Sequence, residues 1–272
     1  MEPIPGIKHI IAVASGKGGV GKSTTAVNLA LALSKEGARV GILDADIYGP
    51  SQPLMLGVTT RPELQDKKNR SPIMAHGLQS MSIGYLVDDS SSMAWRGPMV
   101  SMALQQLLND TQWDNLDYLI LDLPPGTGDI QLTMAQKIPV TGAVIVTTPQ
   151  DLALLDAKRA VNLFQKVKVP VLGIIENMSH HVCSSCGHEE AIFGAGGGKK
   201  MATDLDVQLL GALPLDKKIR EQTDHGQPTV IAEPDGKAAL EYRRIARAIM
   251  KKMDAIATDA ALPFPRITIQ ND

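Results

Sequence analysis

The chain is poor in aromatic residues and almost without cysteine. Phe, Tyr and Trp make up 3% of its 272 residues, and there are two cysteines. Two thiols cannot staple a chain of this length, so a disulfide-framed secreted scaffold is excluded. Excess charge of one sign is also missing. A formal net charge of −2 argues against a surface built for bulk binding of nucleic acid or an anionic membrane. No apolar run approaches the roughly 20 residues of a membrane span. The N-terminus, Met1 to Gly6, has neither the basic start nor the apolar stretch of a secretion signal. Internal repeats and low-complexity linkers are absent too. The expectation is a soluble, cytoplasmic chain with no nucleic-acid or membrane partner. Its length suits a domain that buries about three quarters of its unfolded surface.

What is present is an alternation of short aliphatic runs with longer helical patterns. Strands are expected at 9–14, 39–44, 118–121, 143–146, 171–175 and 209–211. Helices are expected at 22–35, 99–108, 152–166, 199–204 and 237–253. The strand segments are continuously apolar rather than alternating, which marks a parallel sheet covered on both faces. The fold class is therefore α/β, a single doubly wound sheet. The polar stretch 59–92 reads as an excursion of loops and short strands. The stretch 179–198 reads as an irregular insertion, and such insertions are usually functional. One domain over 1–255, which includes this insertion, and a Pro-containing tail over 256–272 complete the division.

Gly16, Lys17, Gly18, Gly19, Val20, Gly21, Lys22 and Ser23, followed by Thr24, match the phosphate-loop pattern between an expected strand and an expected helix. Glycines let successive N–H groups converge on a phosphate, and the helix start adds a positive end. Lys22 reaches the terminal phosphates of ATP, and Ser23 ligates Mg²⁺. Lys17 is the unusual residue. It is either a solvated loop charge or a lysine that reaches a phosphate across a subunit interface. Asp122 ends an apolar strand, where it can hold the metal through water, and Asp44 and Asp46 end another. Pro124 to Asp129 form a loop able to sense a terminal phosphate. A turn or cap is the bland alternative for any one aspartate.

Cys183 and Cys186 are three residues apart, and Gly187 follows. Four readings compete. A disulfide is disfavoured in a reducing compartment. A redox pair should open a helix after a strand, and this pair precedes a glycine-rich loop. A zinc site could recruit His180, His181 or His188. Alternatively, a two-fold axis brings two such pairs together as four thiolates, a set that suits a [4Fe–4S] cluster. The residues alone leave zinc and iron–sulfur open. The basic residues of the last helix, Arg243 to Lys252, read as a solvated face.

Taken in order, GKGGVGKST, DADIYGPS (44–51), WRGP (95–98), LDLPPGTGD (121–129), ENMS (176–179) and CSSCG (183–187) closely resemble the Mrp/ApbC family of iron–sulfur cluster carrier ATPases. This family belongs to the deviant phosphate-loop group with MinD and ParA. The resemblance spans about 6–253. It implies a homodimer that hydrolyses ATP with Mg²⁺, holds a [4Fe–4S] cluster between subunits on Cys183 and Cys186, and passes it to apo iron–sulfur proteins. It implies that Lys17 contacts the partner's nucleotide, that Asp46 orients the attacking water, that Asp122 to Asp129 form a second switch, and that Asn177 reads adenine. Many bacterial members carry a further domain ahead of the ATPase, and here only a few residues precede the first strand. Two other readings are a ParA- or MinD-like spatial organiser and a zinc-stabilised ATP-binding regulator. The C-terminal sequence Arg266 to Asp272 is not the basic amphipathic helix of a MinD-type membrane anchor.

Overall fold

A computed structural model describes residues 2–66, 68–87 and 97–260. Trp95, Arg96 and the tail segment 261–272 lie outside the described residues. The first strand, β1 (Ile7–Ser15), leads through the glycine loop into α1 (Lys22–Lys35). Gly37, at φ +96°, stops that helix in a conformation that L side chains avoid. β2 (Val40–Asp44) follows, then a short α2 (Gln52–Met55), the hairpin β3 (Ile73–Ala75) and β4 (Leu78–Ser82), and α3 (Gly97–Asp110). The chain continues through β5 (Leu116–Asp122), α4 (Asp129–Lys137), β6 (Gly142–Thr147), α5 (Asp151–Lys166) and β7 (Val171–Glu176). A two-stranded ribbon of β8 (His181–Val182) and β9 (Glu189–Glu190) precedes α6 (Gly197–Asp204) and β10 (Leu209–Ala212). The last elements are α7 (Lys217–Asp224), α8 (Thr229–Ala232) and α9 (Lys237–Ala260).

The main sheet has eight strands in the order β10-β7-β6-β1-β5-β2-β4-β3. All of its pairings are parallel except β3 with β4. The stretch 59–92 therefore holds more than an excursion: β4 extends the sheet beside β2, and β3 closes its edge. β1 sits between β5 and β6, where the winding changes direction. The crevice beyond the carboxyl ends of these strands is where ligands bind in such folds.

Side-chain alternation along β1 splits the core into two layers. Ile10, Ala12 and Ala14 pack with α3, α4, α5 and α6, whereas Ile11 and Val13 pack with α1, α8 and α9. α1 is apolar nearly all round because the sheet covers one side of it and α9 the other. α9 continues to Ala260, past the position where a tail was expected to begin. No helix among the described residues is long and apolar enough to cross a membrane.

Candidate functional site

The loop between β1 and α1 lies at the sheet's carboxyl edge. A hollow of about 260 Å³ is lined there by Lys17, Lys22, Ser23, Thr24, Asp46 and Pro125, among others. Gly18 also lines it, as do Gly19 (φ +81°) and Gly21 (φ +80°), whose left-handed conformation lets the loop curl. Gly16 and Val20 serve the fold instead. A Cβ on Gly16 would lie 2.1 Å from the Asp156 carbonyl carbon of α5, and Val20 is buried in the core. The hollow thus gathers Lys17, Lys22, Ser23 and Thr24 with Asp46 and Pro125, from three sequence segments.

Strand register places the acids. On neighbouring parallel strands, Asp44 of β2 stands opposite Asp122 of β5. Both are fully buried. Lys22 Nζ pairs with Asp122 Oδ1 and donates to Ser23 Oγ at 3.0 Å. Gln52 takes the other carboxylate oxygen: its Nε2 donates to Asp122 Oδ2 at 2.8 Å and to the Ser23 carbonyl at 3.2 Å. Asp44 accepts from the backbone N–H groups of Asp46, Ser51 and Gln52 and from the Ser82 hydroxyl. Its carboxylate therefore anchors the segment that carries Asp46. Burial, reinforced by the nearby Asp122 charge, pushes the Asp44 carboxyl up to about 7. Burial also raises Asp46, against the pull of Lys22.

Ser23 Oγ, against Lys22, and the Asp122 carboxylate are hard oxygen donors of the kind Mg²⁺ takes. Two further oxygens beside them, Ser51 Oγ and Gln52 Oε1, are buried with no hydrogen-bond partner. The donor set therefore fits a hydrated divalent cation. A larger hollow of about 640 Å³ adjoins, between Asp46–Gly49 and the 124–131 segment, and shares Asp46, Gly49 and Pro125 with the first. Gln52 was not legible as a site residue. A lone glutamine after Gly-Pro-Ser carries no chemical signature, and only the fold brings it to Asp122.

Asn177 follows β7 and is buried. Its Nδ2 donates to the Val20 carbonyl at 2.9 Å, so part of its amide is committed to the phosphate loop. Cys183 and Cys186 lie beyond β8, at the tip of the β8–β9 ribbon. Cys186 is exposed, and both thiols are free. The turn is closed by Cys183 N–H to the His188 carbonyl and by Gly187 N–H to the Cys183 carbonyl, each 2.9 Å. Gly187 takes φ +73°, as its position after the second cysteine suggested. Backbone N–H groups of Ser185 and Cys186, with the Cys186 thiol, lower the Cys183 pKa and favour its thiolate. Among the described residues no group of three or more His, Cys, Asp or Glu side chains gathers as a metal site. Of the flanking histidines, His180 Nδ1 meets Ser179 Oγ, and His181 Nδ1 meets the Leu215 carbonyl. Among the described residues, no histidine is gathered with the two thiols into a mixed Cys/His set.

A family profile described as ParA, the NUBPL iron-transfer P-loop NTPase, matches residues 6–250. The chain belongs to this family. Among relatives, an iron–sulfur cluster carrier protein of Pseudomonas fragi is 62% identical over 89% of this chain and 86% of its own length. A protein of the same name from Escherichia coli K12 is 63% identical over 89% of this chain, but the match spans only 66% of that protein. Among solved structures, a nucleotide-binding protein of Archaeoglobus fulgidus in complex with ADP superposes with a TM-score of 0.73 at 35% identity, covering 85% of this chain and 90% of its own. MinD of Pyrococcus horikoshii with Mg-ADP gives 0.67 at 25% identity, covering 91% and 98%. The chain thus has the P-loop NTPase fold that the continuous apolar strands and the loop pattern implied.

Proposed function

We propose that this chain is an ATP-hydrolysing carrier that holds an iron–sulfur cluster as cargo between two subunits and delivers it to apoproteins. The observation that carries the reading is the cysteine turn. Two thiols sit on an exposed ribbon, one of them cradled by backbone N–H groups, and among the described residues no third ligand is gathered beside them. Such a pair is half of a four-thiolate set, and a two-fold axis supplies the other half. The relatives' shared name, iron–sulfur cluster carrier protein, supports the same reading.

In the nucleotide site, Lys22 exchanges Asp122 for the terminal phosphates of ATP, and Lys17 neutralises a phosphate of the partner subunit's nucleotide. Asp46 orients the water that displaces ADP from the γ-phosphorus. Ser23 Oγ and Asp122 would hold magnesium, which would supply charge neutralisation on the phosphates. Asn177 contacts adenine with the part of its amide not given to Val20. Hydrolysis is slow without a partner, and it is linked to cluster binding or transfer. The protein works as a cytoplasmic homodimer.

Anaerobic reconstitution with iron and sulfide tests the cargo. We expect about four irons per dimer. Either Cys183→Ala or Cys186→Ala removes them, because each substitution deletes two ligands across the axis. Full iron retention in a single variant, or zinc at one per chain with no iron uptake, overturns the bridging reading.

A further inference from the structure

We propose that Asn177 is a positioning residue that couples the phosphate loop to the cysteine turn within a single subunit. This rests on the carrier reading above for its biological meaning, but not for its test. The Val20 carbonyl that accepts from Asn177 Nδ2 belongs to the same peptide unit as the Gly21 N–H. A phosphate that draws the loop's N–H groups toward itself tilts that peptide plane. The tilt is felt by the Asn177 side chain, because the contact has no slack. A Cβ on Gly21 would lie 2.2 Å from Asn177 Nδ2, and the Met178 side chain approaches the same point.

Between Asn177 and the first cysteine, hydrogen bonds hold Asn177, Ser179, His180 and His181. Asn177 N–H donates to the Thr147 carbonyl of β6 at 2.7 Å. Met178 takes φ +56°, a left-handed turn that a methionine adopts only when its surroundings impose it. Ser179 then donates to the Leu213 carbonyl through both its N–H and its hydroxyl, at 2.9 and 3.0 Å. Leu215 N–H donates to the His180 carbonyl at 2.7 Å, and His181 Nδ1 sits 2.9 Å from the Leu215 carbonyl. Next comes β8, paired with β9, and after it Cys183. The returning limb is tied back to the start, since Gly198 N–H donates to the Glu176 carboxylate next to Asn177. Gly194, Gly196, Gly197 and Gly198 all lie on this returning limb. The outgoing limb, which joins Asn177 to Cys183, contains none.

A displacement at Val20 therefore reaches the cysteine turn through a stiff path in the same chain. This route is separate from any signal carried by Lys17 across a subunit interface. By linkage, the cysteine turn and the nucleotide then bias each other equally.

The test follows the rate at which iodoacetamide alkylates Cys183 in the full-length, metal-free protein, with and without saturating Mg-ADP. Working at two protein concentrations excludes an effect of dimerisation. In the wild type we expect nucleotide to change the rate about fivefold or more. Asn177→Asp keeps the side-chain shape but replaces the donor with an acceptor. At saturating nucleotide it should show the same rate with and without Mg-ADP. A variant that responds like the wild type overturns the proposal. A second measurement needs no variant: hydrogen exchange of the wild-type 179–190 amides should respond to Mg-ADP, and an unchanged profile overturns the proposal. Neither readout uses iron. A wild type that takes up no iron yet shows these responses refutes the carrier reading while supporting the coupling.

Discussion

Gly16 and Gly18 stand two apart in one motif, yet their surroundings ask different things of them. The Cβ that Gly16→Ala adds meets the backbone of α5, which cannot move aside. The substitution should cost about 1–3 kcal/mol of stability, read by chemical denaturation. At Gly18 an added Cβ meets only Pro125 Cγ, at 3.9 Å, so Gly18→Ala should stay within about 0.5 kcal/mol of the wild type. Lys22 makes a different contribution. Lys22→Ala removes a charge-assisted phosphate contact worth about 1.5–3 kcal/mol, so calorimetry should show nucleotide binding weakened about 10- to 150-fold. Asp46→Ala should keep nucleotide binding and lose turnover in a phosphate-release assay. Intact turnover would remove Asp46 from the water-positioning role.

At the scale of elements, α1 and α9 are clasped by Glu36. Its Oε1 accepts from Arg243 Nε at 2.7 Å and Arg247 at 3.0 Å, and the side chain is only 14% exposed. Burial alone would raise the carboxyl, but the two guanidinium groups outweigh it and hold it below its ordinary value. A depressed folded-state pKa means that the unfolded chain binds the proton more tightly. The clasp therefore stabilises above the ordinary value near 4.5 and is lost as pH falls through the lowered one. Glu36→Gln should cost about 1 kcal/mol at pH 7, a Tm drop of about 2–4 °C, and progressively less in acid. An equal drop at pH 7 and pH 3 would show that the clasp is not ionic. Helices of this kind were legible only in part. α1, α5 and α9 declared themselves by apolar spacing. α7 did not, because Thr223 is its only buried residue. α7 is held by the Asp216 cap on Lys218 N–H and by pairs such as Arg220 with Asp224, which leave no apolar stripe to read. α4 was hidden behind the Pro124–Gly128 loop.

For the whole molecule, the proposed dimer would link the nucleotide site and the cysteine turn. Lys17 lines the phosphate hollow, and among the described residues no third ligand is gathered beside the thiol pair. Ligands that prefer one packing of two subunits shift both sites together. Adding Mg-ATP to the cluster-loaded protein should therefore change the rate of cluster transfer to an apo-acceptor. Lys17→Ala should blunt that effect while leaving nucleotide-free cluster binding in place. Identical transfer rates in all four conditions would separate the two sites.

Sequence by itself determined the α/β class, the strand–loop–helix setting of the phosphate loop and the cysteine spacing, because each depends on neighbours along the chain. Continuous apolar runs demand cover on both faces, and a glycine-rich loop before Lys22 demands a turn. Only the tertiary structure decided that Asp44 faces Asp122, that Gln52 reaches the same carboxylate, and that β4 joins the sheet beside β2. It also revealed that Asn177 holds Val20. These contacts are set by strand register and close packing between segments far apart in sequence, and no local pattern of residue types encodes which partner will be opposite.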